Sequence, residues 1–432
     1  MTSSKKLLSK LMKREQIKRA STFFFPEHNN VKGFMGTGDI FFVGQKPSTG
    51  KFPTNKDKLF YRLLGKYGFA NAHITDLIKT RGKTVAQMAK DELESNWSVF
   101  KKEIKILKPI LIVAIGNDVY DNLKSLIKKS ILIKIMHYSY RYGKKTNIKL
   151  WLEKDINNAR DKYDIFKEMN KSQRLKYATL ISAFEHHKRD FNRIINFISK
   201  NQHFFLNDLQ RGLKRVIIPT ENAKINLRSL FVQTINAAGG NNLTLTGKGC
   251  KKFWNRIKGL PNDKIINYGA FLKCLGDNKK STEDLFKRLL KFNNIGKKKA
   301  ALFIRDLFYA HKNPNNKTGI FKKCTIKEDE LLIPLDTVIS EMLNMMLGLR
   351  GTAKVRPGDF DMVNLFAKEV LKNKHMLIED LWYWGHFSTR RKAKTRIMGF
   401  NEDMYYADIF TRPNERSRRM FKTFAKLLKQ IK

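Results

Sequence analysis

Between residues 39 and 143 short apolar runs recur, "DIFFV", "NAHITDLI", "ILIVAIG" and "ILIKIMHYS", each rich in β-branched and aromatic residues. Stretches with helical spacing separate them, as at 57–67 and 85–107. A parallel neighbour needs a long crossover, so strands that alternate with helices predict a parallel sheet covered by helices on both faces. Ligands of such a sheet collect at the carboxyl ends of its strands, and the residues that carry function should follow each run. Those residues are "GQKPS", "DLIKTRGK", "NDVYDNL" and "HYSYR".

The first of these turns sits in "GDIFFVGQKPSTGKF", which superficially suggests a phosphate-cradling loop. A Walker loop needs four residues between its glycines and a Ser or Thr after the lysine, because backbone N–H groups wrap the phosphates while the hydroxyl reaches the metal. Here Gly44 and Gly50 enclose five residues, and Phe52 stands where the hydroxyl belongs. That chemistry is set aside.

In order and in kind, the four runs resemble the uracil-DNA glycosylase superfamily. Its members carry a Gly-x-x-Pro turn after the first strand, a "TN-x-x-K" segment, a "KPxxIVALG" strand and a late "HPS" motif. The resemblance covers roughly the first third of the chain and implies a base pocket formed by Gly44, Gln45, Lys46, Pro47, Asp76 and His137. The family places a catalytic carboxylate or Asn just before the Pro or one residue earlier. Lys46 and Gln45 occupy those positions, and neither activates a water as a carboxylate would. The turn is therefore expected to serve as a base or phosphate pocket without chemistry. His137 corresponds to the histidine that donates to a base carbonyl; the alternative is a satisfied polar residue at a strand end. Asp76 stands where many relatives carry the Asn that reads uracil. Ionised, it only accepts hydrogen bonds and favours an edge with two donors; alternatively it caps a helix. Arg141, just beyond, is a candidate DNA contact.

Charge points the same way. There are 86 basic residues against 39 acidic, a formal +47, spread from "KKLLSKLMKREQIKR" to "RSRRMFKTFAKLLKQ". A polyanion is the economical partner, nucleic acid foremost, although a Lys-rich proteome bias accounts for part of the count. Cys250, Cys274 and Cys324 have neither metal-ligand nor disulfide spacing, which predicts a reducing, intracellular compartment. No apolar run approaches a membrane span. The basic start lacks a signal-peptide core and reads as a soluble arm; a cytoplasmic or nucleoid address and a nuclear one both stay open.

Beyond residue 150 the pattern turns helical. A charged helical connector is expected over 151–225, where His186 and His187 adjoin and so point to different faces, unlike a metal pair. From 226 to 400 the segment "STEDLFKRLLKFNNIGKKKAALFIRDLF" holds an apolar helix led by Ser281, a turn at "NNIGKKK" and a second apolar helix. This reads either as a plain αα-hairpin or as a helix-hairpin-helix in which Gly296 permits the turn and the opening N–H groups face a phosphate. With "ELLIPLDTVISEML" and "LWYWGHFSTR", it resembles the helix-hairpin-helix DNA glycosylases related to endonuclease III. That resemblance implies an all-α domain in which Asp336 stabilises charge on the sugar and Lys298 attacks the sugar carbon through a Schiff base. A lysine triplet beside a phosphate-binding turn equally suits a backbone clamp, so Lys298 stays open between the two roles, with Lys297 and Lys299 as DNA contacts. Asp336 also suits a helix cap. The connection from 308 to 331 is longer than the family's, and no four-Cys tail follows. Asn241 and Asn242 are candidates for filling the space a flipped nucleotide leaves. Trp382, Tyr383 and Trp384 offer stacking surfaces, at least one of them belonging to the core.

The expected organisation is a basic arm (1–30), an α/β domain (31–150), the connector (151–225), the helical domain (226–400) and a basic tail (401–432). The expected function is DNA base excision with base flipping, needing neither metal nor other cofactor. A base-modifying transferase and a non-catalytic DNA-binding protein are the alternatives.

Overall fold

The computed structural model describes residues 3–18, 22–47, 51–81, 88–127, 131–138, 148–218, 220–237, 248–276, 281–293, 295–312, 320–392, 395–407 and 414–431. Two compact units divide the chain, residues 1–179 and 180–432. The first contains α1 (Ser3–Lys18), β1 (Ile40–Gly44), α2 (Asn55–Lys66), β2 (His73–Asp76), α3 (Lys90–Leu107), β3 (Leu111–Ile115), α4 (Asn117–Leu126), β4 (Ile131–Ile135) and α5 (Ile148–Glu168).

All the ladders are parallel, in the order β2-β1-β3-β4. The chain moves from β1 to one side and then returns past it to the other, so β1 and β3 flank the point where the winding reverses. The crevice at their carboxyl ends is where such sheets bind ligands. β1, β2 and β3 are buried at every position, as strands covered on both faces must be. At the edge, β4 exposes Lys134 between buried Ile133 and Ile135.

Side chains alternate across the sheet. Phe41 and Val43 of β1 join Ile112, Ala114, Phe100, Val119 and Leu123 in one core. Phe42 points the other way, meeting Phe60 of α2 edge-on at 5.9 Å and Phe69 at 5.3 Å. The α2 helix starts on a capping box, with Thr54 Oγ1 accepting from Asp57 N at 3.2 Å and Asp57 Oδ2 accepting from Thr54 N at 2.8 Å. The segment read as the start of a connector supplies a helix to this unit: Asp155 of α5 accepts from Met136 N at 2.7 Å, and Arg160 lies over Phe69.

A long helix, α6 (Lys171–Val216), continues into the second unit with a kink at His187. There follow α7 (Ala223–Ala237), α8 (Lys248–Ile257), β5 (Ile266–Asn267), α9 (Tyr268–Cys274), α10 (Thr282–Leu289), α11 (Lys297–Lys312) and β6 (Phe321–Lys322). The unit ends with α12 (Thr337–Met346), α13 (Phe360–Leu371), α14 (Leu377–Ser388), β7 (Thr389–Lys392), β8 (Thr395–Met398), α15 (Glu402–Ala407) and α16 (Glu415–Lys429). Among its described residues the unit is mainly helical, with two small strand pairs, β5 with β6 and β7 with β8.

Phe231 and Phe253 stack at 3.9 Å in its core, with Phe303 edge-on to both. Trp384 and Tyr383 are buried, so two of the three aromatic residues proposed for stacking belong to the core. The third, Trp382, stacks on His386 at 5.2 Å.

Candidate functional site

The strand ends of the first unit bring most of the expected pocket residues together. Gly44 and Asp76 are register partners on β1 and β2. The ladder continues past both: Leu77 N donates to Gly44 O and Ile78 N to Gln45 O, each at 2.9 Å. This fixes the "GQKP" turn against the residues that follow Asp76. A Cβ on Gly44 would fall 2.2 Å from Asp76 Oδ1, so the carboxyl lies across a strand position that only glycine leaves open. Pro47 is buried, while Gln45 and Lys46 are half-buried at the rim.

Across the winding reversal, Gly116 follows β3 with φ +100°, and a Cβ there would meet His137 at 3.5 Å. His137 therefore packs over the end of β3. Burial, then nearby Lys56, pushes its ring below the ordinary histidine range, which keeps it neutral near pH 7, with Asp118 opposing. Tyr138 stacks on His137 at 5.2 Å and on Phe60 at 4.8 Å, nearly parallel in both cases. The Tyr138 phenol is held protonated by burial, by the carboxylates of Asp57 and Asp76, and by a hydrogen bond to Asp57.

Asp76 is 4% exposed, and its Oδ2 is buried with no hydrogen-bond partner among the described residues. It ends a strand and caps no helix, which removes that alternative. Its carboxyl is pushed up to about 7, first by burial, with Glu103 and Asp57 adding and Lys79 opposing. The two-donor preference belongs to the ionised form, and burial here shifts the carboxyl toward its protonated form.

Residues 35–160 match the uracil DNA glycosylase superfamily. No curated protein matches the chain. The glycosylase domain implies DNA as its substrate and a glycosylase-like activity at the level of class. In its "TN-x-x-K" segment the lysine is Lys79, a residue the reading of the sequence passed over. Its stem is 1% exposed, and its amine binds Glu103 Oε1 at 2.8 Å, Thr75 Oγ1 and the Asp76 carbonyl. Glu103, from α3, also accepts from Thr75 Oγ1 at 2.9 Å and meets His73 at 3.4 Å. This buried network ties the backbone of Asp76 to the helix layer.

The second unit brings Lys298 and Asp336 together. Lys298 Nζ lies 3.9 Å from Asp336 Oδ2, with the lysine 34% and the aspartate 12% exposed. Lys298 stands in the first turn of α11. Asp336 is the N-cap of α12, its Oδ1 accepting from Ile339 N at 2.9 Å, so capping leaves the second oxygen for Lys298. The loop before Asp336 is latched by Asn364, which accepts from Ile333 N at 2.7 Å and donates to Ile333 O at 3.2 Å. His375 Nε2 meets Leu331 O at 2.9 Å. Neither latch has a local sequence signature.

Ser281 caps α10 as expected, its Oγ accepting from Asp284 N at 3.1 Å. Gly296 acts differently from the expectation. Its φ lies outside the left-handed region and a Cβ there would meet nothing within 4 Å, so the turn does not require glycine. Gly296 O accepts from Ala300 N at 3.0 Å and so opens α11 without a side chain that could cap it. Lys297 pairs with Asp361. Lys299 is half-buried.

Further along α11, Leu302, Arg305 and Asp306 line a cavity of about 150 Å³ with Phe205, Leu213 and Trp382. Arg141, Asn241 and Asn242 lie outside the described residues. Among the described residues, no cluster of His, Cys, Asp or Glu could hold a metal ion, and no helix is long and apolar enough to cross a membrane.

Proposed function

We propose that the chain is a DNA glycosylase that excises a modified or damaged base, with its bond-breaking chemistry at Lys298 and Asp336 and a base-recognising pocket in the α/β unit. The observation that carries this reading is the 3.9 Å approach of Lys298 Nζ to Asp336 Oδ2, an amine beside a carboxylate in the relation that a Schiff-base glycosylase needs. In that chemistry the Lys298 lone pair forms a bond to C1′ as the glycosidic bond breaks, and the bonding electrons leave with the base. The amine nitrogen then loses a proton to Asp336, its lone pair expels O4′ and opens the sugar to an iminium, and O4′ and the departed base each take up a proton from water. Asp336 also opposes the positive charge that develops on the sugar. An uncapped helix start at Gly296 suits a backbone phosphate, and the +47 charge suits DNA as the partner.

The test is mass spectrometry of bases released from duplexes containing uracil, hydroxymethyluracil, 8-oxoguanine, hypoxanthine or alkylated purines. Asp336→Asn is the control, and borohydride trapping reports the lysine adduct. Release that vanishes in Asp336→Asn, with an adduct that vanishes in Lys298→Ala, supports the reading. Silence across the panel with DNA binding intact refutes it.

Lys46 favours a second reading for the α/β unit. With no carboxylate at that position, the unit recognises DNA or presents a base for modification without cleaving it. A DNA mass change without base release would select the modifying enzyme.

A further inference from the structure

We propose that the exposed face of α16 grips the phosphate backbone of duplex DNA, as a second contact separate from the opening of α11. This rests on the reading that DNA is the partner, and it adds a surface that holds it.

Geometry and charge carry the proposal. Arg416, Arg419, Lys422, Lys426 and Lys429 are exposed and follow one another at spacings of three or four, which sets them on one face of the helix. At an α-helical rise they span about 20 Å. The helix has one acidic residue, Glu415, in its first turn, where it lies 3.8 Å from Arg418. Among the described residues none of the five cations enters an ion pair, whereas Lys287, Lys297 and Lys312 each hold a carboxylate. Two of the five are steadied by rings, Arg416 over Phe204 and Lys422 over Phe400, each at 5.7 Å. The opposite face is closed. Phe421, Phe424 and Leu428 are buried, and Trp384 of α14 meets the two phenylalanines at 5.1 and 5.4 Å. The stripe is thus fixed to a packed core, and its unpaired cations repel one another until a polyanion neutralises them.

The form of the stripe selects the polyanion. One strand of duplex DNA carries a charge about every 3.4 Å along its axis, so the stripe runs past about six phosphates. An anionic membrane surface takes up the apolar face of a helix, and α16 has buried its own against α14. Phosphate contacts carry no sequence information, so the grip is independent of sequence. It also stands apart from Asp336. Gly385 of α14 lies against Val338 and Met342 of α12, while Trp384 faces α16, which places α14 between the stripe and the helix that Asp336 caps.

The experiment is fluorescence anisotropy of the full chain with an unmodified duplex across a salt series. One variant combines Arg419→Gln, Lys426→Gln and Lys429→Gln; a control combines Lys101→Gln, Lys102→Gln and Lys105→Gln, exposed cations of α3. The α16 variant is expected to lose about 2.7 from the slope of log affinity against log salt, from about 0.9 for each phosphate contact removed, on every sequence alike. The control is expected to keep the wild-type slope. An unchanged slope in the α16 variant overturns the proposal, and so does an equal loss in both variants. If the slope is unchanged, retention on phosphatidylserine vesicles by wild type and not by the α16 variant would assign the stripe to a membrane surface instead. Should the α16 variant fail to fold, acetylation of wild type with and without duplex decides: protection of Lys422, Lys426 and Lys429 supports the proposal, and equal labelling overturns it. Base release is read separately. A lost slope without release sinks the excision reading alone, and release with an unchanged slope sinks this proposal alone.

Discussion

Asp76→Asn is expected to stabilise the α/β unit increasingly as pH rises, independently of any ligand. In the unfolded chain Asp76 ionises near its ordinary value of 3.8, whereas in the fold it holds its proton to about 7. Between those values the folded state binds a proton that the unfolded state has lost, so wild-type stability falls with rising pH across the interval and levels off above it. Three pH units at about 1.4 kcal/mol each set an upper bound of about 4 kcal/mol. Asparagine has no such proton. Any constant cost of fitting its amide cancels when two pH values are compared, so between pH 5 and 8 the variant gains about 2–3 kcal/mol on wild type. Paired urea titrations of the full chain, with hydrogen exchange followed in peptides of β1 and β2, isolate the unit's own transition. An equal difference at both pH values would show that Asp76 ionises normally in the fold, and the burial reasoning would be wrong.

Other outcomes test the packing around the site. Gly44→Ala places a methyl 2.2 Å from Asp76 Oδ1 and should cost about 1–3 kcal/mol, read as a lower thermal midpoint; an unchanged midpoint would show that the carboxyl moves freely. Lys79→Met strands Glu103 without its cation and should cost about 3–5 kcal/mol, while adding Glu103→Gln should recover part of that loss; strict additivity in urea unfolding would refute a coupled buried pair. DNA affinity should fall at least about 10³-fold from 50 to 200 mM salt if six or more phosphates are contacted, and a shallow slope in a fluorescence anisotropy series would limit the role of the basic surface.

The sheet was legible because strands covered on both faces must be nearly continuous apolar runs, and "DIFFV" and "ILIVAIG" are such runs. Their alternation with helices sets where the strand ends fall, and the family resemblance singles out Gly44, Asp76 and His137 among the residues there. Lys79 and Glu103 could not be named in this way. They are partners across 24 positions, one after a strand and the other on a helix, and each alone resembles an ordinary surface charge. Gly296 shows the opposite failure. A glycine in a turn suggests an unusual backbone, but here it only opens a helix, and sequence does not distinguish those two uses. The strand pair β5 and β6 is two residues long, too short for any periodicity.

The position of Asp76 shows why residue type alone misleads at a buried site. Aspartate where an amide is expected looks like a change of specificity, because in water it carries charge and accepts at both oxygens. That inference uses the solvent titration of a group the fold removes from solvent. With Lys79 engaged by Glu103 and with Asp57 nearby, burial pushes the carboxyl up to about 7. A neutral acid and an amide carry the same donor and acceptor, whereas the ionised acid only accepts, so what the side chain offers depends on its protonation and not on residue type alone. The information that decides between these readings lies in Lys79, Glu103 and Asp57, none of which would itself touch the base.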